Sequence, residues 1–199
     1  MKYLMILLLI GFLYGCNSTA VKVNTDNDEA PTVIGLGYRD FDEAASELLE
    51  SLLNSNSLIH PDGQRYVVVI SKIKNDTMQR IDTDQLIKKI RIALLKSGKA
   101  IVTSALGADG AEDDMAYQTR GLRDNEEFNQ TRVSKAGQLI APDYSLSGKI
   151  IQRNNTVDSR TTQVEYYFML SLTDIETGLV FWEDEKRIIK RGRSNTVSW

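Results

Sequence analysis

The chain has 199 residues, a formal net charge of −3 and 42% hydrophobic residues, which is the length and apolar content of about one globular domain. Its slight acidic excess leaves no general footprint for nucleic acid, so no nucleic-acid partner is expected. One histidine and one cysteine exclude a Cys/His metal site by count, and no cofactor or metal is expected.

The chain starts with Lys2, an apolar run from Leu4 to Leu13, and Gly15 beside Cys16. This is the layout of a secretory signal, too short to cross a hydrocarbon core of roughly 30 Å as a helix. A lone cysteine in an exported chain has no internal disulfide partner, so its position must explain it. Leu13-Tyr14-Gly15-Cys16 resembles a bacterial lipobox. That resemblance implies a diacylglyceryl group on the Cys16 sulfur, cleavage before Cys16, and acylation of the new amine. One acyl chain holds only marginally, whereas two or three anchor a protein firmly to a membrane. Asn17 stands where enteric lipoproteins retained at the inner membrane carry aspartate, which favours the outer membrane. Residues 1–15 are therefore expected to be a signal peptide, 16–34 a lipidated flexible tether, and 35–199 the globular domain. The tether is polar and acidic with no apolar period. As a coil of about 20 residues it spans about 25 Å, and roughly 65 to 70 Å when fully extended.

In DFDEAASELLESLLNS, Phe41, Ala44, Ala45, Leu48, Leu49, Leu52 and Leu53 follow the i, i+3, i+4, i+7 pattern of a helix face, with Asp40 as its cap. HPDG then breaks the chain, and the β-branched run from Tyr66 to Ile73 predicts a buried strand. After the loop NDTMQR a second helix is expected, capped by Asp82 with Gln85 as its box partner. Leu86, Ile90 and Leu94 share one of its faces and Gly98 stops it. KAIVTSA reads as a short strand. Residues 107 to 140 are polar with a weak helical stripe, and a short helix is expected at about Gln130 to Leu139. DYSLSGKIIQR and QVEYYFMLSLTDIETGLVFWEDEKRIIKR hold three strands, the last two joined at IETG with Gly178 in the turn. In the penultimate strand Val164, Tyr166, Phe168, Leu170 and Leu172 alternate with more polar residues, so one face is core. The order predicts an α+β domain: a single small mixed sheet with helices packed against it.

No constellation for catalysis stands out. His60 lies in a turn and reads as a solvated loop residue. The acidic clusters at Glu112, Asp113 and Asp114, at Asp124, Glu126 and Glu127, and at Glu183, Asp184 and Glu185 read as solvated faces, although a glycosidase needs only two carboxylates. The basic end, Lys186 to Arg193, fits edge protection by charge, with anion binding as the alternative.

The run YVVVISKIKNDTMQRIDTDQLIKKIRIALLKSGKAIVTSA resembles the penicillin-binding protein activator family, the LpoB-like outer-membrane lipoproteins. Asn75 and Thr77 match its loop, Asp82 its helix start and Gly98 its break; APDYSLSGKI and TDIETGLVFWEDEKRI resemble its later strands. The resemblance covers about residues 35 to 192. It implies a domain similar to the amino-terminal domain of TolB, without enzymatic activity, which docks on a bifunctional class A penicillin-binding protein. Docking would stimulate peptidoglycan synthesis from the periplasmic side of the outer membrane, with the chain acting as a monomer. Lipoproteins of the curli secretion channel type, which form rings, are the alternative. Asn75 and Thr77 suit an Asx turn that satisfies backbone groups. The same loop offers Met78 and Arg80, residue types favoured at interfaces, and Asn75, Thr77, Met78 and Arg80 form the candidate partner-binding loop.

Overall fold

The computed structural model describes residues 33–107 and 113–193. Helix α1 (Tyr38–Asn54) opens the domain and is followed by a 3-10 turn, Asn56–Leu58. Strand β1 (Tyr66–Asp76), helix α2 (Asp84–Ser97) and the short strand β2 (Ala100–Val102) come next. A one-turn helix α3 (Met115–Gln118) runs into a 3-10 turn, and strands β3 (Tyr144–Thr156), β4 (Thr161–Asp174) and β5 (Val180–Arg193) close the domain. The sheet order is β2-β1-β3-β4-β5. β1 runs parallel to β2 and β3, whereas β3, β4 and β5 are antiparallel neighbours. This is the mixed-sheet α+β architecture expected from the sequence.

The core lies between one face of the sheet and the apolar stripes of α1 and α2. Phe41, Ala44, Ala45, Leu48, Leu49 and Leu52 of α1 are buried, as are Leu86, Ile90 and Leu94 of α2. Each large side chain of this kind contributes about 1.5–3 kcal/mol when fully buried. The expected alternation in β4 holds: Val164, Tyr166, Phe168, Leu170 and Leu172 are all buried. Phe41 meets Phe168 edge-to-face with centroids 5.7 Å apart, which sets α1 against β4, beside the terminal strand β5.

The helix starts differ from expectation. Gly37 is the residue that caps α1, and Asp40 sits one turn in, where its Oδ2 accepts the Gly37 N–H at 2.6 Å. Likewise Thr83, not Asp82, precedes α2, while Asp82 Oδ1 accepts from the Asp84 N–H at 2.9 Å. Each aspartate satisfies an orphan amide of its helix start from a neighbouring position. Gly98 ends α2 with φ +67°, a left-handed conformation open to glycine.

Two segments also differ. β1 continues past Ile73 to Asp76, because β3 pairs with it as far as Asp76 opposite Ile151. A bulge between Ile70 and Ile73 adds a residue to β1 and brings Ile73 opposite Gly148. The helix expected at Gln130–Leu139 is absent; the segment is a series of turns. A short stretch with no packed apolar stripe does not repay helix nucleation. Polar side chains hold it instead: Gln130 Nε2 donates to the carbonyls of Leu122, Asn125 and Phe128, and Arg123 Nε to Ser134 O.

Candidate functional site

The loop after β1 is built around Asn75. Its Oδ1 accepts from the Thr77 N–H at 3.1 Å and from Thr77 Oγ1 at 2.7 Å, and its Nδ2 donates to Gln79 O at 2.8 Å. Thr77 Oγ1 accepts in turn from the Gln79 N–H at 3.1 Å. The loop is therefore a closed Asx-type turn in which Asn75 and Thr77 face inward and satisfy backbone groups. Met78 and Arg80 are exposed at its crest. Gln152 Oε1 accepts from the Met78 N–H at 3.1 Å and Asn154 Nδ2 lies 3.4 Å from Met78 Sδ, so β3 supports the crest from one side.

From the other side the loop meets the start of the domain. Gln79 Oε1 accepts the Leu36 N–H at 2.9 Å, and a Cβ at Gly35 would stand 2.2 Å from Gln79 Nε2. Between them lies an open groove of about 300 Å³, whose walls include Tyr38, Arg80, Ile81 and Gln85. Lys149 Nζ lies 2.6 Å from Asp76 Oδ2, and this hydrogen bond and charge hold the Asp76 carboxyl below its ordinary range. Sequence reasoning found the turn but missed Gln79, Gln152 and Asn154, whose partners lie 43 to 76 residues away. No local pattern signals contacts of that separation.

The remaining expected groups do not converge. His60 is more engaged than a solvated loop residue: its ring lies 4.7 Å from that of Tyr66, and its Nδ1 accepts the Asp62 N–H at 3.1 Å. Tyr66, Tyr144 and Phe181 continue this aromatic row with centroids 4.7 and 5.5 Å apart. Burial, and then the Tyr66 hydroxyl, push the Tyr144 phenol up to about 12. Asp113 and Asp114 precede α3, Asp124, Glu126 and Glu127 are exposed in turns, and Glu183, Asp184 and Glu185 lie on β5; Glu112 lies outside the described residues. Among the described residues no group of three His, Cys, Asp or Glu side chains could hold a metal ion.

The basic end is partly spent within the fold. Lys186 Nζ reaches Glu43 at 2.9 Å and Glu47 at 2.6 Å, and Lys190 Nζ reaches Asp40 at 2.6 Å. Hydrogen bonds to Glu47 and Glu43 raise the Lys186 ammonium above its ordinary range. These pairs tie α1 to β5; Arg187, Arg191 and Arg193 are exposed on the other face, where Arg191 Nε donates to Gln163 Oε1 at 2.7 Å. Cys16, the expected signal and most of the expected tether lie outside the described residues; among the described residues no helix is long and apolar enough to cross a membrane.

Such a fold, a five-stranded mixed sheet with helices packed on one face and a supported surface loop after β1, defines a small α+β domain. The chain belongs to the peptidoglycan-synthase activator LpoB family, whose model matches residues 40–188. That span runs from the first turn of α1 into β5, and the family is one of regulators of a synthase. Among solved structures the chain is similar to the LpoB C-terminal domain from Escherichia coli, with 17% identity over 75% of this chain and 98% of that one and a TM-score of 0.46. The corresponding domain from Salmonella enterica is 14% identical over 75% and 98%, with a TM-score of 0.42. The PelC dodecamer from Paraburkholderia phytofirmans is 18% identical over 66% and 76%, with a TM-score of 0.33. No curated protein matches the chain by sequence.

Proposed function

We propose that this chain is a lipid-anchored activator that binds a class A penicillin-binding protein directly and stimulates its peptidoglycan synthesis. The observation that carries the reading is the family match over residues 40–188. In this reading residues 1–15 are removed as a signal, Cys16 carries the acyl chains, and residues 16–34 tether the domain to the periplasmic side of the outer membrane. The activator needs no catalytic groups of its own. It raises the synthase's rate by binding an active conformation better than an inactive one, and the gain is limited by that difference in affinity. A tether adds to this by confining the domain near its partner.

The proposed contact is the loop of Asn75, Thr77, Met78 and Arg80. Asn75 and Thr77 set its shape, while Met78 and Arg80 supply exposed contact groups held from both sides. Reconstitution tests the function. Purified chain is added to a purified cognate class A synthase with lipid-linked substrate, and separately to isolated sacculi. Faster glycan polymerisation or crosslinking with no muropeptide release by the chain alone is the expected result. Release of muropeptides by the chain alone, or no change in synthase rate, overturns it.

A further inference from the structure

We propose that β5 pairs antiparallel with the β5 of a second copy of this chain, about a two-fold axis at Ile188, joining two sheets edge to edge. β5 is a 14-residue strand at the end of the sheet order, bonded to β4 on one side only among the described residues. Its Glu185 N–H points away from β4 and is capped by the Asp184 carboxylate at 2.7 Å, a local contact that the Arg191 carbonyl of the second copy replaces on pairing. Strand geometry turns the backbone groups of alternate residues to the same side, which places Glu183, Arg187, Ile189 and Arg191 with Glu185 along the open edge. The 3-10 turn after α1 reaches this edge only at its start, where Ser57 Oγ donates to Phe181 O at 3.1 Å.

The side chains on these residues carry a self-complementary pattern. Glu183, Glu185, Arg187, Ile189, Arg191 and Arg193 are all exposed, with acids in the first half and arginines in the second. With the axis at Ile188, Glu183 faces the second copy's Arg193, Glu185 faces its Arg191, and Arg187 faces its Ile189. Both halves together make four opposite-charge pairs. Placing the axis at Arg187 sets that residue against its own copy, and placing it at Ile189 sets Arg187 against Arg191. Placing it at Lys186 leaves Glu183 opposite Ile189. The charges on the core side of β5 do not compete, because Lys186 and Lys190 are held by Glu43, Glu47 and Asp40 of α1. Charged side chains commonly guard an open edge, the role expected for this strand end from the sequence; here the two signs are separated along the strand, which makes the edge complementary to a copy of itself. The pairing departs from the monomer expected from the sequence, and it does not depend on the activator reading.

Sedimentation velocity on the full chain in detergent, over a range of concentrations and at low and high salt, tests the proposal. A reversible monomer–dimer equilibrium weakened by salt is expected. Glu185→Arg and Arg191→Glu, both at exposed positions, each lower the association constant by about tenfold, from two lost cross-strand pairs and two like-charge contacts. The double variant E185R/R191E regains association, and an equal mixture of the two single variants associates more strongly than either alone. Circular dichroism confirms that each variant is folded. A monomer at every concentration, a larger ring, or dimers indifferent to these exchanges overturns the proposal.

Discussion

Lys190 Nζ lies 2.6 Å from Asp40 Oδ2, 2.7 Å from Gly35 O and 3.0 Å from Val33 O, so each proton of the ammonium has an acceptor. Its side chain is 11% exposed and that of Asp40 is 8%. Removing one partner strands a buried charge, so Lys190→Ala or Asp40→Ala is expected to cost about 3–5 kcal/mol of stability in urea unfolding. The double replacement D40L/K190M is expected to lose less than the two single losses added together, because neither charge is left alone.

A methyl group at Gly148 would stand 2.6 Å from Met169 O and 2.7 Å from Leu170 Cδ2. The carbonyl belongs to the neighbouring strand and cannot swing aside. Gly148→Ala is therefore expected to destabilise by about 1–3 kcal/mol. At Gly192 the nearest atom is Ile34 Cδ1 at 2.8 Å, the far end of a flexible side chain, so Gly192→Ala is expected to cost less. Thermal unfolding of the two variants side by side checks the order.

Tyr144 titrates near 12 in the folded chain, with burial as the main cause. An unfolded tyrosine releases its proton at about 10, so between these values the folded state binds more protons than the unfolded state. The resulting stability is fully present below about pH 10 and is lost as the pH rises toward 12. Tyrosinate absorbance should show one residue ionising late, and Tyr144→Phe should flatten the loss of stability over that window.

Asp174 is drawn the other way. Thr177 donates to its Oδ1 from both Oγ1 and the backbone N–H at 2.7 Å, and these bonds lower the carboxyl below its ordinary range. The stabilisation is present above the unfolded value of about 3.9 and is lost as pH falls through the lower folded value. The protection of the Thr177, Gly178 and Leu179 amides, measured against intrinsic exchange at the same pH, should fall in acid in the native chain, and Asp174→Ala should show the lower protection already at neutral pH.

The loop separates shape from contact. Asn75→Ala removes three hydrogen bonds and is expected to cost about 1–3 kcal/mol of stability. Met78→Ala and Arg80→Glu should leave stability within about 0.5 kcal/mol. If the loop is the contact, these two weaken synthase binding by about tenfold, or about 1.4 kcal/mol, in a titration with the purified synthase.

The elements legible in the sequence are those whose signal is periodic and local. The α1 stripe from Phe41 to Leu52 and the alternation from Val164 to Leu172 each state which face is buried. Gly98 and Gly178 mark a helix stop and a hairpin turn, and both take positive φ. The sequence does not reveal which distant polar groups meet. Lys190 and Asp40 are 150 residues apart, and the sequence reads one as part of a charged strand edge and the other as a helix cap, with nothing to join them until α1 lies beside β5. The bulge in β1, which brings Ile73 opposite Gly148, is a property of two strands together. For the candidate site the turn chemistry of Asn75 and Thr77 was readable, whereas the support of Met78 by Gln152 and Asn154 was not. Residues 130–139 misled because intrinsic preference without a packing surface does not sustain a helix.

The Lys190 clasp also decides how the domain bears load. Tension arriving along the chain at Val33 meets an ammonium on the last strand that grips the carbonyls of Val33 and Gly35, before any of it reaches the first turn of α1. The pull is thereby shared with a strand zipped along its length to β4. A domain hauled from its leading end would slip this fastening before its helix began to unwind.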